Sequence, residues 1–159
     1  MRPNPSQRPS PKMRSVWRIT SLLSSISLVA LPIIYYFLMR YFSLPFFILM
    51  IIIGVVIALI IFLTLFLPTL KLKYTAYEIY ENELEIQKGI FVIKRIVIPM
   101  VRVQHVTTEV GPILRRYGLS TVNISTAATT HEIEGLEHHI AEKLRDKIIY
   151  LARISDEDV

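Results

Sequence analysis

The pattern of apolar and polar positions splits the chain into a long uncharged beginning and a mixed remainder. From Ile19 to Leu70 the one charged residue is Arg40. Two apolar runs flank it: Ile19–Met39, 21 residues, and residues 41–70, whose core is Phe46–Leu67 between Pro45 and Pro68. At 1.5 Å per residue, about 20 helical residues cross a hydrocarbon layer of roughly 30 Å. Neither run has the polar face that a soluble amphipathic helix shows. The first run exceeds the 7–15 apolar residues usual in a signal peptide, and no A-x-A-like cleavage site follows it. Two transmembrane helices are therefore predicted, joined tightly around Arg40. Pro32 is expected to kink the first. Ser21, Ser24, Ser25 and Ser27 are expected to bond to carbonyls one turn back or to face the second helix, where Gly54 would assist packing.

After Lys73 the pattern becomes short β segments with turn signals. Strands are predicted at Tyr74–Tyr80, Leu84–Lys88, Ile90–Ile98, Val101–Val110 and Leu119–Thr126, with a short sixth through His131–Ile133. Gly89 supplies one turn, Pro99 ends the third strand, and Gly111-Pro112 stops the fourth. Leu136, Ile140, Leu144, Ile148 and Leu151 recur at helical spacing, so a helix over Leu136–Ala152 is predicted, laid on a sheet. The expected architecture is an antiparallel sheet of five to seven strands, curled around one amphipathic helix into a small, partly open barrel.

Charge refines this picture. The 159-residue chain carries a formal +5. Arg2, Arg8, Lys12, Arg14 and Arg18 precede the first span without any acid, while residues 71–159 carry 12 Lys or Arg against 13 Asp or Glu. The basic excess thus belongs to the N-terminal tail, which argues against nucleic-acid binding. Positive flanks place both termini in the cytoplasm of a multi-pass cell-membrane protein. Residues 1–12, with Pro3, Pro5, Pro9 and Pro11, are expected to be extended or disordered, serving topology and headgroup contact. The expected organisation is a basic tail (1–18), a two-helix anchor (19–70), a cytoplasmic domain (71–155) and an acidic end (156–159).

The segment IVIPMVRVQHVTTEVGPILRRYGLSTVNISTA, residues 96–127, carries a resemblance. Ile98-Pro99, Arg102-Val103-Gln104-His105-Val106, Gly111-Pro112, Arg115, Gly118-Leu119, Thr126-Ala127 and Ile133-Glu134-Gly135-Leu136 follow the order of the YdbS-like bacterial pleckstrin-homology-like domain proteins. The resemblance covers roughly residues 17–150. Ala128 departs from it, a glycine being common there. It implies a bent seven-strand barrel capped by a C-terminal helix, beside a two-helix transmembrane hairpin. It also implies a larger membrane protein bearing repeated copies of the domain as partner, a role in envelope stress or protection against membrane-active peptides, and no enzymatic activity. Pro99, His105, Gly111, Pro112, Gly118, Thr126 and Gly135 are read as structural members of the motif.

The search for chemistry adds little. There is no cysteine, so thiolate catalysis and disulfides are excluded. Phosphate-loop, H-E-x-x-H and G-x-S-x-G motifs are absent. His138 and Glu142, four apart, can touch on a helix, but His138 and His139 point about 100° apart and make a poor metal pair. No metal or cofactor is expected. Lys94, Arg95, Arg102, Gln104, Arg115 and Arg116 are the candidate contacts for lipid phosphates or a partner. Three functions follow: a noncatalytic accessory protein presenting its domain for assembly or self-association, a sensor of anionic lipid headgroups, and a membrane enzyme or transporter component.

Overall fold

The computed structural model describes residues 5–90 and 92–157. By compactness the chain forms two units. One is Trp17–Thr69; the other joins Met1–Val16 to Leu70–Val159.

The first unit is helical. Helix α1 (Met13–Ser25) runs through a 3₁₀ turn (Ile26–Val29) into α2 (Ala30–Phe42). The tightened turn ends three residues before Pro32, which cannot donate to the carbonyl of Leu28 and whose ring crowds it. Ser24 and Ser25 hydroxyls donate to the Ser21 carbonyl and Ser27 to that of Ser24, the back-bonding that the sequence predicts. Ser43, at φ 54°, caps α2 in the left-handed region, and the Leu44 amide closes on the Met39 carbonyl. Arg40 thus lies inside α2, and the connection is Ser43–Pro45. The Tyr35 hydroxyl donates to the Pro45 carbonyl at 3.1 Å, fastening the turn.

Helix α3 (Phe46–Tyr74) begins after Pro45 as expected but does not stop at Pro68. Its 29 residues reach about 43 Å, well past the hydrocarbon layer. Phe37, Ile51, Ile57 and Phe66 are typical of both helices in leaving their apolar side chains exposed. Side chains with this exposure need lipid rather than water around them. A Cβ at Gly54 would meet nothing within 4 Å, so this glycine makes no close helix contact, contrary to the expectation for it.

The second unit holds six strands: β1 (Ala76–Ile79), β2 (Glu83–Lys88), β3 (Lys94–Pro99), β4 (Val103–Glu109), β5 (Leu119–Thr126) and β6 (Thr130–Glu137). They form two antiparallel three-stranded sheets, ordered β1-β2-β3 and β4-β5-β6. Among the described residues there are thus six strands, not the seven that the resemblance implies. A 3₁₀ turn, Met100–Arg102, links the sheets after Pro99. It removes the start of the predicted Val101–Val110 strand. The third strand begins at Lys94 rather than Ile90, because Gly89, at φ +123°, turns the chain tightly there and a Cβ would collide with the Val92 carbonyl. Phe91, within that predicted strand, is outside the described residues.

Gly111 does more than stop a strand. It caps a short helix, α4 (Pro112–Arg116), with Pro112 at the first turn, where its missing amide is harmless. Helix α5 (His138–Glu157) starts two residues later than predicted, since Leu136 still belongs to β6. Its buried stripe is Ala141, Leu144 and Ile148, whereas Ile140 is 40% exposed. That stripe joins Leu84, Ile86 and Ile98 of one sheet, Met100, and Val122, Ile124 and Ile133 of the other in a single core. Burial of each such side chain contributes about 1.5–3 kcal/mol, so this core is what holds the two sheets together.

The N-terminal tail is extended, but it is docked rather than free. Gln7 and Tyr77 exchange backbone hydrogen bonds at 2.8 and 3.2 Å. The Ser6 amide and hydroxyl both donate to the Glu78 carboxylate at 2.6 Å. Further on, the Ser10 amide donates to the Gly135 carbonyl at 2.8 Å, and Lys12 reaches Glu137 at 3.7 Å. Residues 6–12 therefore strap the outer edge of β1 to β6, the outer edge of the second sheet. Residues 1–4 and the far end of the acidic segment at 156–159 lie outside the described residues.

Candidate functional site

The motif residues of segment 96–127 are spread over 3₁₀, strand and turn, yet several converge on one cleft. Beta-strand β4 pairs Val103 with Thr126 and His105 with Ser125, so Gln104 is an extra, unpaired residue. Such a bulge bends the strand and redirects a side chain. Gln104 and Arg102, both exposed, line a cleft of about 520 Å³ with Pro99, Thr126, Ala127 and His131. Its floor is the β5–β6 turn. There the Thr126 amide and hydroxyl both donate to the Thr129 carbonyl at 2.9 Å, and the Thr129 amide donates back to the Thr126 hydroxyl at 3.2 Å. This threonine latch explains the Thr-Ala pair. Ala128 keeps a negative φ, so the glycine common at this position is not needed for this turn.

The other basic candidates lie elsewhere. Arg115 and Arg116 sit on α4, which connects the far end of β4 to β5; the seven residues of β4 separate them from Arg102 by about 20 Å. Lys94 and Arg95 open β3 on the other sheet, paired with Lys88 and Gln87. Arg95 bonds Glu85 at 3.2 Å, and the Glu85 carboxylate is 2% exposed with its second oxygen unpartnered. The six candidates thus form three separate groups, not one basic patch. His105 is exposed on β4 and faces a second cleft beside Ile149 and Arg153 of α5.

The glycines of the motif have backbone reasons. Gly118, at φ +67°, ends α4, and its carbonyl accepts the His138 amide at 3.2 Å. Gly135, at φ +76°, sits in a bulge of β6, where two residues, Glu134 and Gly135, oppose Thr121. A Cβ there would lie 2.5 Å from Met13 Cγ. This docking position was not legible from the sequence, because the tail and Gly135 are more than a hundred residues apart.

Two arrangements bring together side chains of catalytic type. The Ser120 hydroxyl is 2.9 Å from His138 Nδ1, and His138 Nε2 is 3.6 Å from Glu142. Ser120, however, is 0% exposed, so no substrate reaches its oxygen; the pair fastens β5 to the start of α5. At the other place, Lys88 lies near Glu134, Glu132 and Lys71. Burial pushes its ammonium below the ordinary lysine range, against the pull of the two glutamates, while Lys71 pushes the same way as burial. Lys71 itself bonds Glu134 at 3.3 Å. No three His, Asp or Glu gather as a metal site among the described residues.

Two long apolar helices with a two-sheet domain and a C-terminal helix define a membrane-associated protein with a PH-like domain. The chain belongs to the bacterial PH domain family, whose pattern matches residues 13–152. It is 42% identical over 159 residues, across the whole of both chains, to the UPF0699 transmembrane protein YdbS of Bacillus subtilis (strain 168). No solved structure matches it.

Proposed function

We propose that this protein presents its PH-like domain at the inner face of the cell membrane for assembly with a membrane partner. One observation carries the reading. The strap covers the outer edge of β1, whereas β3 and β4 are both terminal in their sheets; exposed Val97 lies on β3, Gln104 on β4, and Val101 and Arg102 in the turn that joins them. A terminal strand offers unpaired amides and carbonyls for another strand. The fitting occupant is an extended segment of a larger membrane protein with repeated copies of the same domain, or a second copy of this chain.

Both termini belong on one side of the membrane in this reading. Its support is that residues 6–12 bond to β1 and β6 of the domain formed after residue 70. The basic flanks make that side the cytoplasm. Protection of the envelope against membrane-active peptides is the cellular role we attach to the assembly.

The test is photo-crosslinking in native membranes from Val101 and from Arg8, which is exposed on the strap at the opposite, β1 edge. Adducts with a multi-spanning protein, or with itself, from Val101 but not Arg8 support the assembly. A protein that purifies alone in mild detergent and yields no adduct from either position overturns it.

A further inference from the structure

The β2–β3 hairpin ends in an apolar tip set among cations. Val92 is 68% exposed and Ile93 51%. The last ladder pair below the tip is Lys88 opposite Lys94, followed by Gln87 opposite Arg95. Like charges placed directly across a strand pair repel, and an exposed apolar pair gains nothing from water. The combination is unfavourable in water and favourable against a surface that is apolar beneath and anionic on top.

The position of the tip in the topology supplies the second argument. The chain leaves α3 at Tyr74 and enters β1 at Ala76, opposite Gln87. The Thr75 amide and hydroxyl still bond back to the Lys71 carbonyl. The Lys88–Lys94 end of the first sheet is therefore the end at which the apolar helix hands over to the domain. Lys71 and Lys73 stand in the last turn of that helix. Lys71 bonds Glu134 and Arg95 bonds Glu85, Glu132 and Glu134 lie near Lys88, and the partly buried Lys88 keeps an apolar stem under its charge.

We infer that Val92 and Ile93 dip into the headgroup layer of the bilayer that holds the spans, with Lys88 and Lys94 bound to anionic lipid phosphates. Two helices alone leave a domain free to tilt and turn about its tether. A third contact at the hairpin tip fixes which face of the domain is turned toward the cytoplasm, and so which strand edges a partner meets. This docking site is separate from the cleft at Arg102, and it stands or falls without reference to any partner.

The absence of cysteine makes a labelling test clean. The full chain carrying Val92→Cys, or Glu81→Cys in the β1–β2 turn, is labelled with a polarity-sensitive fluorophore. It is then reconstituted in phosphatidylcholine vesicles with or without phosphatidylglycerol. The expected result is a blue-shifted emission at position 92, quenched by spin labels carried near the lipid headgroup, stronger with phosphatidylglycerol and absent at position 81. Lys94→Glu, at an exposed position that does not disturb the core, is expected to abolish the gain from phosphatidylglycerol. Equal emission at 92 and 81 overturns the inference. So does a blue shift at 92 that lipid-borne labels do not quench, which reports protein contact, or a Lys94→Glu variant that responds to phosphatidylglycerol as before.

Discussion

Replacing Gly135 by alanine tests the strap directly. The backbone at Gly135 is left-handed, φ +76°, which costs an L-residue about 1–2 kcal/mol. The added Cβ would also fall 2.5 Å from Met13 Cγ and 2.8 Å from its Cβ. The second of these atoms is no flexible tip, so Met13 must leave. Met13 is 3% exposed, and re-exposing such a side chain costs about 1.5–3 kcal/mol. With partial relaxation the two effects amount to about 3 kcal/mol. For a unit of this size each kcal/mol shifts the melting midpoint by about 4–8 °C, so a fall of roughly 12 °C or more is expected in detergent. Trypsin should cut at Lys12 and Arg14 faster in the variant, because an undocked strap is a substrate. In a Met13→Gly background, which removes both clashing atoms, the same change should cost only the backbone part, about 1–2 kcal/mol. The reasoning is refuted by a midpoint within a degree or two of the parent, or by an equal decrement in both backgrounds.

Two further outcomes are expected. The Ser6 hydroxyl, then the Ser6 amide, hold the Glu78 carboxyl below its ordinary value, with smaller help from the Gln7 amide and Lys147. A depressed folded-state pKa contributes stability above the unfolded value of about 4.3 and loses it as pH falls through the folded value. Hydrogen exchange at the Ser6 and Gln7 amides should therefore accelerate in acid beyond the intrinsic rate, and Glu78→Gln should remove that pH dependence. Arg95→Ala leaves the Glu85 carboxylate buried with neither oxygen paired to Arg95. Because the Arg95 side chain is 36% exposed, the cost is discounted from the 3–5 kcal/mol of a fully buried pair to about 1–3 kcal/mol. Denaturant unfolding should show it, and Glu85→Gln added to Arg95→Ala should restore most of the loss.

What the sequence disclosed and what it hid divide along the range of the interactions. The spans were legible because an unbroken apolar run needs no tertiary information. So were β2 and β5, whose alternation and bounding turns are local. The α5 stripe was misjudged at Ile140 because the pattern was started at Leu136; once that residue belongs to β6, the helical phase runs Ala141, Leu144, Ile148. Helix α4 was hidden by its length, since five residues show no period. The basic candidates could not be assigned to groups because sequence order says nothing about the two ends of a strand. Gln104 could have been singled out only by knowing the register of β4 against β5. The strap, above all, has no sequence signal: a proline-rich basic tail reads as unfolded until β1 and β6 offer it edges.

That strap changes how the chain is to be divided. A boundary at residue 71 appears natural on composition, yet the bonds of Ser6, Gln7, Ser10 and Lys12 place the tail with the domain that begins after residue 70. The apolar hairpin is then an insertion within a folded domain, not a prefix to it. Bringing Ser6 to Glu78 closes a loop of 72 residues, which for a flexible chain costs on the order of 4 kcal/mol or more. A hairpin of two antiparallel spans returns its second end beside its first, so insertion into the bilayer meets much of this cost before the strap docks. It follows that the second span must be in place before the domain can finish folding. A fragment starting at residue 70 lacks not an inert tail but the covering of its β1 edge. The exposed edge would pair with whatever strand it met, and binding measured on such a fragment would report that edge, not the free β3 and β4 edges of the whole protein.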